Sequence, residues 1–205
     1  MSLLRNFFGP SKQEIWRQFC AETGGVYVAG SFWKGDKVEA SHGQWTVTLD
    51  TYVVSTGKSA ITYTRMRAPY VNPDGFTFTI YRKGIFSDLG KWLGMQDVAV
   101  GFPEFDEAFV IKGNDEQKLR QLFANPKIRD MINAQQAIRF SVVRGGQGIW
   151  AGNNLPPGVD ELLFQVVGVI KDVERLKLLY ELFSETLDEL CRMGTAYGQP
   201  PGVNA

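Results

Sequence analysis

"VYVAGSFWKGDKVEASHGQWTVTLDTYVVSTGKSAITYTRMRAPYVNPDGFTFTIYRKG", residues 26–84, is rich in Val, Thr, Tyr, Phe and Trp and alternates apolar with polar positions. Those residue types suit a pleated, half-buried surface. Trp45, Val47 and Leu49 alternate with Thr46, Thr48 and Asp50, so one face packs and the other meets water. Turn chemistry divides the stretch at Lys34-Gly35-Asp36, His42-Gly43, Ser55-Thr56-Gly57-Lys58 and Pro73-Asp74-Gly75. This predicts four or five antiparallel strands joined as a meander. No strand here alternates with a helix, which disfavours a doubly wound nucleotide-binding fold.

On the N-terminal side, "SKQEIWRQFCAETGG" (11–25) predicts a helix. Ser11 and Glu14 form an S-x-x-E capping box, Ile15, Trp16, Phe19 and Cys20 recur at helical spacing, and Gly24-Gly25 stop the helix. On the C-terminal side, "GIFSDLGKWLGMQ" (84–96) places Ile85, Phe86, Leu89, Trp92 and Leu93 at helical spacing. Asn114 is the expected cap of a helix over 115–123, and Asn125-Pro126 opens another that reaches about 135. Ile138–Val143 and Ile149-Trp150 read as strands around Gly145-Gly146. The continuous apolar run "ELLFQVVGVI" (161–170) predicts a strand buried on both faces. Asp172 caps a long amphipathic helix ending near Met193-Gly194, and the Gly/Pro-rich tail 195–205 is expected to be loose. The expectation is an α+β protein, a mostly antiparallel meander sheet or open barrel covered by N- and C-terminal helices. It forms a single domain over 1–205, with a possible subdivision into 1–97 and 98–205.

Composition narrows the function classes. Twenty-two acidic and 22 basic residues balance in 205, so no basic footprint for nucleic acid exists overall. The start "MSLLRNFFGPSK" is too short and interrupted for a secretory signal, and no apolar run approaches membrane-spanning length. Cys20 and Cys191 are far apart and each sits in a helical pattern; they read as buried apolar residues of a cytoplasmic protein. With His42 as the sole histidine, zinc sites and histidine-based triads are disfavoured. The glycine loops "RGGQG" (144–148) and "GSFWKG" (30–35) match neither a phosphate loop nor a dinucleotide fingerprint. No cofactor is expected.

Three groups of residues remain as candidates. Tyr63, Arg65 and Arg67 share one face of a strand, with Tyr81, Arg82 and Lys83 on an expected neighbour. Such an aromatic, cationic face suits a ligand, an anionic head group or a single-stranded nucleic acid. "SLLRNFFG" and the 84–96 segment are amphipathic and suit a partner or self-association. Acidic residues cluster in "GFPEFDEAFVIKGNDEQKLRQLF" (101–123) at Glu104, Asp106, Glu107, Asp115 and Glu116, and again at Asp160 and Glu161. The cluster lacks calcium-loop spacing, and capping, helix-dipole and strand positions account for each acid.

"PEFDEAFVIKGNDEQKLRQLFANPKIRDMI" followed by "IRFSV" and "ELLFQVV" resembles a segment of uncharacterised bacterial proteins. Its pattern is F-D-x-x-F-x-V/I, an Asn/Asp-capped helix, a second helix and a strand. Phe105, Asp106, Phe109, Ile111, Asn114, Asp115, Leu119 and Leu122 carry it here. The resemblance implies a fold and no catalytic residues. The expected function is a non-enzymatic binding or protein-interaction module of a bacterial cytoplasm. The alternatives are a hydrolase-like enzyme using Asp106, Glu107 or Asp160, and a peripheral membrane or nucleic-acid binder acting through Tyr63, Arg65 and Arg67.

Overall fold

The computed structural model describes residues 9–31, 35–55, 57, 59–84, 97–145 and 155–202. Helix α1 (Lys12–Thr23) starts as its capping box dictates. The Ser11 hydroxyl accepts from the Glu14 N–H at 3.2 Å, and the Glu14 carboxylate accepts from the Ser11 N–H at 2.9 Å. Gly24, at φ 72°, closes the helix in the left-handed conformation that glycine tolerates best.

Strands β1 (Val26–Val28), β2 (Lys37–His42), β3 (Trp45–Ser55) and β4 (Ala60–Val71) then run as the expected meander. β5 (Phe78–Arg82) departs from it. It lies between β6 (Phe109–Gly113) and β7 (Arg139–Arg144), while β8 (Val159–Val167) takes the place beside β4. The order β1-β2-β3-β4-β8-β7-β5-β6 is antiparallel at every junction. β1 and β6 are the outermost strands, with Asp97 bridged to Lys112 along β6, and the sheet is open and not a closed barrel. Because β5 pairs only with strands from beyond residue 97, one sheet spans both halves of the chain.

Four more helices follow among the described residues: α2 (Pro103–Ala108), α3 (Glu116–Ala124), α4 (Pro126–Asn133) and α5 (Val173–Arg192). They pack with α1 on one face of the sheet. Edge-to-face ring contacts join Phe78 of β5 to Phe123 of α3, and Phe140 of β7 to Phe183 of α5. Phe19 of α1 meets Tyr180 of α5 in the same way. Strand alternation places Leu49, Met66, Phe164, Phe140 and Ile80 on this face, all within 1% of complete burial.

Several local expectations differ in detail. Asp115, not Asn114, caps α3, accepting from the Lys118 N–H at 3.0 Å. Asn114 instead ties Thr77 N–H and Gly75 C=O. The helix α2 was not expected; Pro103 at its start and the preceding loop's bonds to Asp106 form it. β8 begins at Val159, two residues before the expected start at Glu161, so Asp160 lies inside the strand as well, and the first eight strand residues are all buried. The expected loose tail is docked at its start. Thr195 and Ala196 are buried, and Tyr197 bridges to Val71. The expected 84–96 helix from residue 85 on, the strand at Ile149-Trp150 and the amphipathic "SLLRNFFG" fall outside the described residues.

Candidate functional site: the polar face of the sheet

The face turned away from the helices carries a charged row that the registers define strand by strand. Tyr81 opposes Arg139, Arg139 opposes Gln165, Gln165 opposes Arg65, Arg65 opposes Asp50, and Asp50 opposes Lys37. The adjacent row places Thr79, Ser141, Leu163, Arg67, Thr48 and Glu39 in line. Asp50 organises the middle. Its carboxylate accepts from Arg65 Nε at 2.9 Å and Nη2 at 2.7 Å, and from Arg67 Nη2 at 3.2 Å. Arg67 Nη1 also stands 3.9 Å from Glu161 Oε1. Arg65 lies over the Tyr52 ring, which stacks on Tyr63 with centroids 5.2 Å apart, and Gln165 donates to the Tyr52 hydroxyl at 3.0 Å.

Arg139 is the exception in this row. Its half-buried guanidinium makes no hydrogen bond or ion pair to any described residue, and the titratable groups near it include Tyr52, Tyr63 and Tyr81. Burial pulls this guanidinium below its ordinary value, and the tyrosines offset that only in part. Burial also pushes the Tyr52 hydroxyl up to about 12, so it stays protonated and supplies a dipole, not a charge. Thr48 Oγ1 and Ser141 Oγ, on the same face, are buried without a hydrogen-bond partner.

Glu161 is 2% exposed, and burial raises its carboxyl above the ordinary value despite the attraction of Arg67 and Arg65. Between its unfolded and folded pKa the native state holds the proton more tightly, so stability falls as pH rises through that window. Glu161→Gln, neutral throughout, is therefore expected to be more stable than the parent at about pH 7. The gain should vanish at about pH 4, where both states are protonated. Urea denaturation at the two pH values measures this, and an equal gain at both would contradict it.

Tyr63, Arg65 and Arg67 thus lie together on one face of β4, as their alternation predicts. Tyr81 shares that face, but β8 and β7 separate its strand from β4. Arg82 points to the other side, where it donates to Asn133 C=O at 2.9 Å and Gln135 C=O at 3.0 Å behind α4. Its cation serves a helix end. Lys83 donates to Asp106 C=O.

The acids do not converge. The Asp106 carboxylate accepts from the backbone N–H groups of Val100, Gly101 and Phe102 at 2.9, 3.0 and 3.1 Å. Asp160, on the helix side of the sheet, accepts from Asn72 Nδ2 at 2.6 Å and Gly145 N–H at 3.1 Å, while Glu104 and Glu107 are exposed. His42 contacts Asp188 at 3.0 Å and stacks on Trp45. Among the described residues no three His, Cys, Asp or Glu side chains gather in a metal-holding group. Asp106→Asn turns one acceptor into a donor that faces N–H groups, and is expected to cost about 1–3 kcal/mol. The urea midpoint should fall; an unchanged midpoint would show that the loop holds without the carboxylate.

A cleft of about 420 Å³ opens at the end of β8, between the chain after α4 and the start of α5, with Gln135, Val167, Lys171 and Arg175 in its wall. Arg139, Asp50 and Gln165 on the polar face, and Gln135 here, escaped the sequence reading. Arg139 alternates with Ser141 in "IRFSV", a period-two signal that marks a shared face, but only the non-sequential strand order brings it to Tyr63. The chain has no significant match among protein-family models, curated proteins or solved structures.

Proposed function

We propose that this protein is a non-enzymatic binding module of a bacterial cytoplasm that receives an anionic ligand on the polar face of its sheet. One observation carries the reading: Arg139 is a half-buried guanidinium among Tyr52, Tyr63 and Tyr81 with no carboxylate among the described residues to neutralise it. A half-buried charge without a counter-charge is costly, and a bound anion offsets that cost. The local balance favours an anion. Among the described residues, the carboxylates paired with Arg65 and Arg67 are Asp50 and Glu161, and burial drives Glu161 toward its neutral form.

A small ligand suits this face better than a membrane or a nucleic acid. The Arg65 and Arg67 side chains are only 11% and 8% exposed, whereas surfaces that track lipid or phosphate backbones present accessible cations. A carboxylate enzyme has less support, since Asp106 and Asp160 are each held by hydrogen bonds on separate parts of the fold. Kinship with the uncharacterised bacterial proteins belongs to the same proposal. The order β6, α3, α4, β7 supports it.

Inorganic phosphate is the first probe. Titrated into isotopically labelled protein, it should shift the Arg139 Nε–H and the amides around it in a saturable way. Arg139→Gln should weaken that binding at least about tenfold, the loss expected of one charge-assisted contact. Phosphate binding untouched by the substitution, or no binding at all, would remove this reading.

A further inference from the structure

The cleft beside α5 has a chemistry of its own. Gln135 lines it and is 1% exposed, which places it at the inner wall. Arg175 Nε donates to Gln135 Oε1 at 3.0 Å, and that bond fixes which way the amide points. The Gln135 amino group is then the free end; it is buried and no acceptor meets Nε2. A buried donor left unmet costs about 1–3 kcal/mol unless something accepts from it.

The charges around the cleft are unequal once their partners are counted. Asp172 and Glu174 both line it, but each is engaged. Asp172 accepts from the Arg175 N–H at 3.1 Å as the α5 cap, and Glu174 takes Lys177 Nζ on both oxygens at 3.2 Å. Among the described residues, the Arg175 guanidinium donates to neutral oxygens, Gln135 Oε1 and Ala137 C=O. Lys171 is exposed and has no hydrogen bond or ion pair to any described residue. The first turn of a 20-residue helix adds N–H groups without intrahelical acceptors. Besides the polar Gln136, the wall has an apolar part: Val167 and Val169 are 57% and 36% exposed, and Leu178 also lines the cleft.

We infer that this cleft is a second binding site, which takes a small carboxylate carrying an apolar body. One carboxylate oxygen accepts from Gln135 Nε2, Lys171 and the helix start face the negative charge, and the apolar part covers Val167, Val169 and Leu178. The volume of about 420 Å³ lies in the range of small-molecule sites. The inference is independent of the anion site at Arg139, on the neighbouring face.

Sodium hexanoate tests it, with 1-hexanol supplying the same tail without the carboxylate. Hexanoate added to the full labelled chain should give saturable shifts at residues 134–136 and 171–174, and hexanol should bind at least about tenfold more weakly. Gln135→Glu keeps the oxygen that Arg175 needs and removes the donor, so hexanoate should bind at least about tenfold more weakly with the melting curve retained. Lys171→Ser, at an exposed site, keeps the test valid if Gln135→Glu unfolds, and it should weaken binding several-fold. Arg139→Gln should leave hexanoate binding unchanged. The inference is overturned by absent shifts at these residues, by equal binding of hexanol, or by parental affinity in the folded Gln135→Glu or Lys171→Ser variant. Loss of hexanoate binding in Arg139→Gln would overturn it too, by moving the carboxylate to the sheet face. Failure of phosphate binding at Arg139 would leave it standing.

Discussion

Asp50→Ala is expected to lower folding stability by about 3–5 kcal/mol, because it removes the carboxylate that two buried guanidiniums share. Asp50 is the acceptor between Arg65 and Arg67, which sit two residues apart on one face of β4. Burial pulls the Arg65 guanidinium down, and the hydrogen bonds and charge of Asp50 more than restore it, leaving it above its ordinary value. Without that carboxylate the desolvation cost stays and the compensation goes. Glu161, 3.9 Å from Arg67, is too distant to take over hydrogen bonds formed at 2.7–3.2 Å. Urea denaturation measures the loss. Asp50→Ala combined with Arg65→Met should recover part of it, since the second change removes one of the two guanidiniums. A single-variant cost below about 0.5 kcal/mol, the level of an ordinary surface substitution, would mean that solvent already screens both arginines.

The same network shows what a sequence discloses about a site. "TYTRMR" reveals through alternation alone that Tyr63, Arg65 and Arg67 share a face, since side chains in a strand repeat every two residues. That they face Asp50 follows from the β3–β4 hairpin, whose register runs from Ser55–Ala60 to Thr48–Arg67. Arg139 is a different case. It reaches this face because β8 pairs with β4 and β7 with β8, and the β4–β8 pairing joins residues as far apart in the chain as Tyr63 and Val167, which leaves no local trace. The error over Arg82 has a local root instead. It directly follows Tyr81, so the two point to opposite faces; reading them as one patch ignored the pleat.

The fold divides along the same line. Capping boxes, helical stripes and turn residues act within a few positions, so α1, α5 and the meander were legible from their own segments. Short α2 was not. It depends on Asp106 holding the N–H groups of the loop before it, a contact that the residue pattern of the stretch does not display. The departure of β5 from the meander was likewise invisible. Phe78 and Ile80 would alternate in the same way beside β4 as they do between β6 and β7. What selects the actual place is packing.

That selection makes Phe78→Ala the largest core effect expected, about 3–5 kcal/mol, with most of the cost in the cavity left behind. Phe78 is 1% exposed and touches three rings: Phe76 at 5.9 Å, Phe123 of α3 at 5.9 Å and Phe140 of β7 at 5.7 Å. Through Phe123 the chain of rings continues to Phe105 and Phe109, and through Phe140 to Phe183 of α5. Phe78 is thus where the strand that leaves the meander locks to both the middle and the C-terminal helices. Alanine removes the ring contacts, each worth about 0.5–1.5 kcal/mol beyond buried area, and the rigid sheet behind β5 limits collapse into the space. Phe78→Leu keeps most of the volume and should cost less than half as much. Against a total stability of about 5–15 kcal/mol, the alanine variant should show a sharply lowered urea midpoint or fail to fold, and the leucine variant should fold. Equal midpoints for the two would mean that bulk hydrophobicity, and not this ring cluster, holds β5 in place.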